Sequence, residues 1–187
     1  MSEPQDTSTE RYRNIWAPWR MEYIDSLSSE ADNGCFLCRL AAQSDNDQKN
    51  LVLWRTGRCL VLLNRFPYTS GHAMIAPLEH IGELSALSEE TMLEIMTLLR
   101  DMEQILRKAV NADGFNVGIN VGRCAGAGLP GHLHLPIVPR WNGDTNFIAV
   151  FGGVRVIPQT LETMYEQVKA AAAQLNLPAS GTRRNDE

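Results

Sequence analysis

The apolar positions of this chain change their period twice, and the changes mark out its elements. Between residues 51 and 76 they come in short runs, LVLWR at 51–55, RCLVLLN at 58–64 and GHAMIA at 71–76. Runs of this length, bounded by Gly, Pro, Asn and Ser, predict strands, and Thr56-Gly57 is a hairpin-length link between the first two. Beyond Ser88, which can act as an N-cap, the spacing becomes three and four: Met92, Ile95, Met96, Leu99, Met102, Ile105 and Leu106. This predicts a long helix with one buried stripe, stopped by Asp113-Gly114. Strand-like runs return at 114–121 (GFNVGINV) and 132–138 (HLHLPIV), and a second helix is expected over about Thr160 to Leu175. Strands gathered around one long helix, with short hairpin links, predict an α+β fold with a largely antiparallel sheet.

Composition narrows the class without naming a chemistry. A chain of 187 residues, 44% hydrophobic and 21% charged, fits one domain that buries a real core. No apolar run approaches the ~20 residues of a membrane span, and the polar start MSEPQDTSTERYRN does not read as a signal peptide. A cytoplasmic protein with no membrane partner is expected. The net charge of −5 gives no footprint for nucleic acid, so any phosphate-bearing ligand must be held by local donors. The polar ends, 1–13 and 176–187, are expected to be disordered tails around one domain at 14–175. Four cysteines in such a chain do not read as a disulfide framework, and Cys59, inside an apolar run, reads as core.

The candidate chemistry lies in the histidines. All four fall in two stretches, Gly71-His72 through His80 and Gly131-His132-Leu133-His134-Leu135-Pro136. Alternate strand residues share a face, so His132, His134 and position 136 are expected to point away from Leu133, Leu135 and Ile137. Histidine can be a nucleophile, a metal ligand or a proton carrier near neutral pH, and a hydrogen-bonded core pair is the plain alternative. Upstream, Cys35-Phe36-Leu37-Cys38 fits a zinc knuckle, a redox pair or coincidence. Cys35, Cys38, His80 and His132 would supply the two thiolates and two imidazoles of a tetrahedral zinc site, with free thiols or a substitution by Cys124 as the alternatives. The loop from Asn120 to Gly131 holds Gly122, Gly126, Gly128 and Gly131, and reads either as a backbone nest for phosphate or as an ordinary turn.

His132-x-His134 after a glycine-rich loop and before Val138-Pro139-Arg140-Trp141 resembles the histidine triad superfamily of nucleotide hydrolases and transferases. The segments Trp16-Ala17-Pro18-Trp19-Arg20-Met21-Glu22-Tyr23-Ile24 and Arg140 to Phe147 are similar to the bacterial branch of diadenosine tetraphosphate phosphorylases, or ATP adenylyltransferases. The resemblance spans about residues 14–175. It implies a five-stranded antiparallel sheet with one long and one C-terminal helix, and a homodimer. It implies His134 as a nucleophile that forms a nucleotidyl-histidine, oriented by a backbone carbonyl. It implies Asn64 at the ribose hydroxyls, Ser70 at phosphate, and Asn120 with the backbone of Gly126 and Gly128 at the polyphosphate, with Asn116 a weaker candidate. The related galactose-1-phosphate uridylyltransferases carry zinc on positions matching Cys35, Cys38, His80 and His132. The substrate implied is a nucleotide or dinucleoside polyphosphate. One position departs: the third residue of the triad is Pro136, which has no side-chain donor and no backbone N–H. The expectation is therefore a nucleotidyl-transferring enzyme, or a nucleotide-binding protein of the same fold with little turnover.

Overall fold

The computed structural model describes residues 34–145 and 157–177. The Trp16–Ile24 segment lies outside these residues, as do both expected tails except Asn176 and Leu177. A short helix α1 (Phe36–Ala42) precedes strands β1 (Val52–Arg55), β2 (Cys59–Leu63) and β3 (Ala73–Pro77). Then come the long helix α2 (Glu89–Val110), strand β4 (Gly114–Val117), strand β5 (Leu135–Arg140) and helix α3 (Leu161–Leu175). The five strands form one antiparallel sheet in the order β1-β2-β3-β5-β4.

Helices α2 and α3 cover one face of the sheet. Val61, Leu63, Ile75, Leu135 and Ile137 point into a core with Leu99, Met102 and Ile105 of α2 and Met164 and Val168 of α3. On the opposite face Leu60, Leu62, Met74 and Ala76 meet Leu37 of α1 and Leu129 of the glycine loop. β2 and β3 are thus buried on both sides, which is why they read as continuous apolar runs without alternation.

Ser88 caps α2 as expected, its side chain accepting the Thr91 N–H, and Thr160 does the same for α3 through Thr163. The stop comes earlier than Asp113-Gly114: Asn111 takes the left-handed conformation at φ 50°, a C-cap glycine's role that Asn tolerates well. The stripe on α2 is also shifted. Ile95, Leu99, Met102, Ile105 and Leu106 are buried, with Leu98 added, while Met92 and Met96 are 39% and 60% exposed. α2 rests on both the sheet and α3, and that double seat turns the stripe toward Leu98.

Two strands are shorter than their sequence runs, and one proline accounts for both boundaries. β5 begins at Leu135, so His132 and His134 lie on the approach to the strand rather than within it. β4 ends at Val117, four residues before the expected 121. Val117 pairs with Ile137, which brings Gly118 opposite Pro136. The Gly118 N–H reaches the Pro136 carbonyl at 3.4 Å, but Pro136 has no N–H to return, so the ladder ends there. The chain is released into the loop that carries the glycines.

Candidate functional site

The C-x-x-C sits at the start of α1. Cys35 is its N-cap and Cys38 stands one turn on, so both thiols project from one side of the helix. Leu37, 1% exposed, pins α1 to the open side of the sheet. Arg55 of β1 holds the other end, donating to Ala41 O at 3.0 Å and Gln43 O at 2.6 Å while paired with Asp47 at 2.6 Å. α1 therefore delivers its sulfurs to a fixed place.

Four side chains meet there. One ligand atom from each of Cys35, Cys38, His80 and His132 lies within 4.8 Å of all the others. His132 Nδ1 is 3.2 Å from Cys35 Sγ and 3.5 Å from Cys38 Sγ, and His80 Nδ1 is 3.2 Å from Cys38 Sγ. Tetrahedral zinc with Zn–S near 2.3 Å and Zn–N near 2.0–2.1 Å sets S···N edges of about 3.6 Å, so the cluster has nearly the size a metal ion needs. His132 is fully buried, and its Nε2 hydrogen goes to Pro77 O at 2.8 Å, which leaves the Nδ1 lone pair facing the sulfurs. Such a second hydrogen bond is what orients a ligating imidazole. Burial, with Cys35 alongside, pushes the Cys38 thiol above its ordinary value, and a cation would relieve that cost. Burial holds His132 below the usual imidazole value despite the Pro77 bond, which favours the neutral ring that a ligand requires. Gly131 is part of the fit, since a Cβ there would lie 3.3 Å from His80 Nε2. These four residues could bind a metal ion. The fourth cysteine of the alternative set, Cys124, is exposed in the glycine loop and is not part of the cluster.

His134 follows two residues on and is half-buried. Its Nδ1 lies 3.0 Å from the carbonyl oxygen of His132. A carbonyl only accepts, so Nδ1 carries the hydrogen and Nε2 keeps a lone pair. With Leu133 and Leu135 in the helix-side core, His134 belongs to the other face. Pro136 and Met74 are paired on that face, with Leu62 beside Met74.

The remaining candidates are spread along the same region with different degrees of engagement. Asn64, just past β2, is half-buried; its Oδ1 accepts the Phe66 N–H at 2.9 Å and its Nδ2 is 3.4 Å from His72 Nε2. Asn120 is exposed, with no hydrogen bond among the described residues. Asn116 Oδ1 accepts from Arg140 Nη1 at 2.9 Å, and Arg140 is also paired with Asp144, which holds the Asp144 carboxyl down at about 2. In the glycine loop, Gly126 adopts φ 86° and donates its N–H to Arg123 O at 3.0 Å, so that amide closes a turn. The Gly128 amide has no partner among the described residues. Ser70 is placed apart from the others. Its buried Oγ has no partner among the described residues and lines a small cleft with Leu63, Gln159, Thr160 and Met164 at the start of α3, on the helix side of the sheet. Sequence reasoning did not anticipate α1, Arg55 or the Pro77 carbonyl as supports of the cluster; Leu37 between the two cysteines was the one available signal.

Comparisons with known proteins agree with this geometry. A model of the HIT domain matches residues 45–143. A protein of Mycobacterium tuberculosis described as AP-4-A phosphorylase is 33% identical over 156 residues, covering 81% of this chain and 80% of its own. A bis(5'-nucleosyl)-tetraphosphatase (asymmetrical) of Schizosaccharomyces pombe is 30% identical over 93 residues, half of each chain. Among solved structures, a Zn-bound histidine triad family protein from Mycobacterium smegmatis superimposes with a TM-score of 0.63 at 27% identity, covering 76% of this chain and 96% of that one. A hypothetical histidine triad nucleotide-binding protein from Sulfolobus tokodaii shares the fold, with a TM-score of 0.59 at 21% identity over 76% of this chain and 94% of its own. The five-stranded antiparallel sheet, the cluster around His132 and these likenesses together place the chain in the histidine triad family, whose members include nucleotide-processing enzymes.

Proposed function

We propose that the protein transfers nucleotidyl groups from dinucleoside polyphosphates, of the diadenosine tetraphosphate kind, through a covalent nucleotidyl-histidine on His134. The observation that carries the reading is the 3.0 Å bond from His134 Nδ1 to the His132 carbonyl. It fixes the tautomer that presents a nucleophilic Nε2 at neutral pH. Nε2 attacks the α-phosphorus, and phosphate or water then releases the nucleotide. Asn120 and the Gly128 amide, both without partners among the described residues, are the polyphosphate donors, and Asn64 meets the ribose from the end of β2. Gly126 contributes through the turn it closes, and Ser70 enters the reading by resemblance alone. The M. tuberculosis relative, which aligns over most of both chains, is the support for the substrate class.

Zinc is the ion best suited to two thiolates and two imidazoles, and its part is structural: all four ligand positions are taken, so no open site remains for substrate. The protein works as a homodimer in the cytoplasm on this reading. The exposed apolar side chains Leu93 and Met96 on α2, 70% and 60% accessible, and Val117 and Ile119 at the end of β4 supply a face for a second copy. A mass twice the 20.8 kDa of one chain in ultracentrifugation is expected; a concentration-independent monomer would remove the dimer.

One observation favours a second reading, binding without turnover. Pro136 puts an apolar ring where a third donor would serve, and loss of one transition-state donor costs about 10²–10³ in rate. The deciding assay is turnover of diadenosine tetraphosphate with and without phosphate, with products separated by chromatography. ADP that appears only with phosphate marks a phosphorylase. Phosphate-independent turnover marks a hydrolase, and tight binding with no product marks a binding protein.

A further inference from the structure

The cysteine cluster joins two pairs of side chains that differ in their redox chemistry. His80 and His132 bring imidazoles, which disulfide reagents leave untouched, whereas Cys35 and Cys38 bring thiols from the start of one helix. Cys35 is the N-cap of α1, its carbonyl accepting the Arg39 N–H at 3.1 Å, and Cys38 closes the first turn. That spacing holds the two Cα atoms about 5 Å apart, inside the range that a disulfide spans. Both sulfurs face the same nitrogen, His132 Nδ1, at 3.2 Å and 3.5 Å, and they lie within 4.8 Å of one another. Both cysteines are half-buried, within reach of a small reagent, whereas Cys59 in β2 is 0% exposed. The supports of the four side chains are made by the chain itself. Leu37 and Arg55 hold α1, and the Pro77 carbonyl holds His132 Nε2 at 2.8 Å. Beside His80, the Ile81 carbonyl accepts the Leu133 N–H at 2.6 Å. Joining the two sulfurs therefore leaves each backbone position where it is.

Resting on the reading that these four residues hold zinc, we propose that Cys35 and Cys38 form a reversible disulfide that releases the ion. The oxidant is a low-molecular-weight disulfide of the glutathione kind. One cluster sulfur attacks it, which makes a mixed disulfide and expels one thiolate. The second cluster sulfur then attacks the first, the protein S–S bond closes, and the other reagent sulfur leaves as a thiolate. Two electrons pass from the protein sulfurs to the reagent. Zinc departs as a divalent cation, its charge balanced by the two expelled thiolates. A disulfide has no thiolate to offer a metal, and two imidazoles alone fill half of a tetrahedral site. The bridge closes a loop of four residues and stays half-exposed, so it adds little stability and remains open to reduction. A thiol reductant and returning zinc rebuild the site on the supports that Leu37, Arg55 and Pro77 keep in place. Metal content, and the stability the ion contributes, thus follow the thiol–disulfide balance around the protein.

The test treats full-length, zinc-loaded protein with oxidised glutathione, as wild type and in a Cys124→Ser background that removes the exposed loop thiol. A chromophoric chelator follows zinc release, while alkylation with intact mass counts the free thiols. Zinc should leave in step with the loss of two alkylatable thiols, at least about 10-fold faster than it passes to the chelator alone. Peptide mapping should join Cys35 to Cys38 in both proteins. The oxidised protein should still melt cooperatively, at a lower temperature, and dithiothreitol with zinc should restore both the ion and the melting point. Zinc that stays bound would overturn the proposal. So would zinc released with glutathione left on one cysteine, or with a bridge between two chains. An oxidised product that loses its cooperative melt, or fails to recover on reduction, would mark damage in place of a switch and overturn it equally. Protein that takes up no zinc before oxidation would overturn the metal reading, and this proposal with it.

Discussion

Around His132 nearly every polar atom has a partner, and on the ring of His134, two residues on, only Nδ1 has one among the described residues. His132 gives one ring nitrogen to Pro77, turns the other to two sulfurs, offers its carbonyl to His134 and donates its own N–H to Leu129 O at 3.2 Å. His134 lies next to the row of Met74 and Pro136 in the strand register, and its Nε2 has no partner among the described residues. Closed polar networks fix a conformation, and a reactive group needs an unspent valence, so on the proposed reading the two histidines divide rigidity from chemistry. The same backbone serves both, which makes the contrast open to experiment from either side.

The largest effect should come from the reactive side. His134→Ala should lower turnover by roughly 10⁴-fold or more and abolish the nucleotide adduct, with the melting temperature nearly unchanged. Residual adduct in this variant would move the nucleophile elsewhere. From the closed side, Cys35→Ser should empty the cluster of metal, from about one ion per chain to none, and lower the melting temperature by on the order of 10 °C. Metal analysis and a thermal scan read this together, and a metal-free protein of unchanged stability would show that the cluster holds only thiol–imidazole hydrogen bonds.

A pH scan sharpens the comparison further. Burial lowers the His132 value in the folded chain, so on unfolding the ring takes up a proton at any pH between its folded value and the ordinary 6.5. The unfolded state binds more protons there, so stability rises with pH through that window and is lost as pH falls below it. Metal-free protein should melt progressively lower as pH falls below about 6.5, and a flat profile would mean that His132 charges freely in the fold. Gly82→Ala should cost less, about 1 kcal/mol, because its Cβ would stand 2.9 Å from the Pro130 carbonyl and push the loop above His132. Asp144→Asn should be the smallest change. It removes a surface pair with Arg140, and its signature is a weaker loss of stability as the wild-type carboxylate is protonated toward pH 2.

How much of this was legible beforehand follows the same division. The buried runs of β2 and β3, the cap at Ser88 and the helix from Leu161 could be read because local spacing and burial agree there. The four cluster residues could be read by their types, although Cys35 and His132 are far apart in the chain. α1 could not: seven residues around two cysteines show no hydrophobic period, and the helix is held by Arg55 and Leu37 from outside itself. The orientation of Met96 depended on α3, whose position no local pattern on α2 encodes. Ser70 was named at phosphate by the family resemblance alone, and the turn at Gly71, with φ 78° and Pro139 and Leu106 close against it, sets its hydroxyl beside the start of α3.

Pro136 also writes itself into the hydrogen-exchange record of the loop. An imino acid at that point leaves the Gly118 carbonyl without a ladder donor, and beyond Gly118 the amides of Ile119 and Asn120 have no strand partner among the described residues. Restoring an N–H at position 136 by any non-proline residue should therefore slow deuterium uptake at residues 118–120, even where the new side chain is chemically silent. A serine or alanine scan at this one position would then separate two inheritances of a single codon: what the side chain does to leaving groups, and what the missing amide does to the breathing of Asn120.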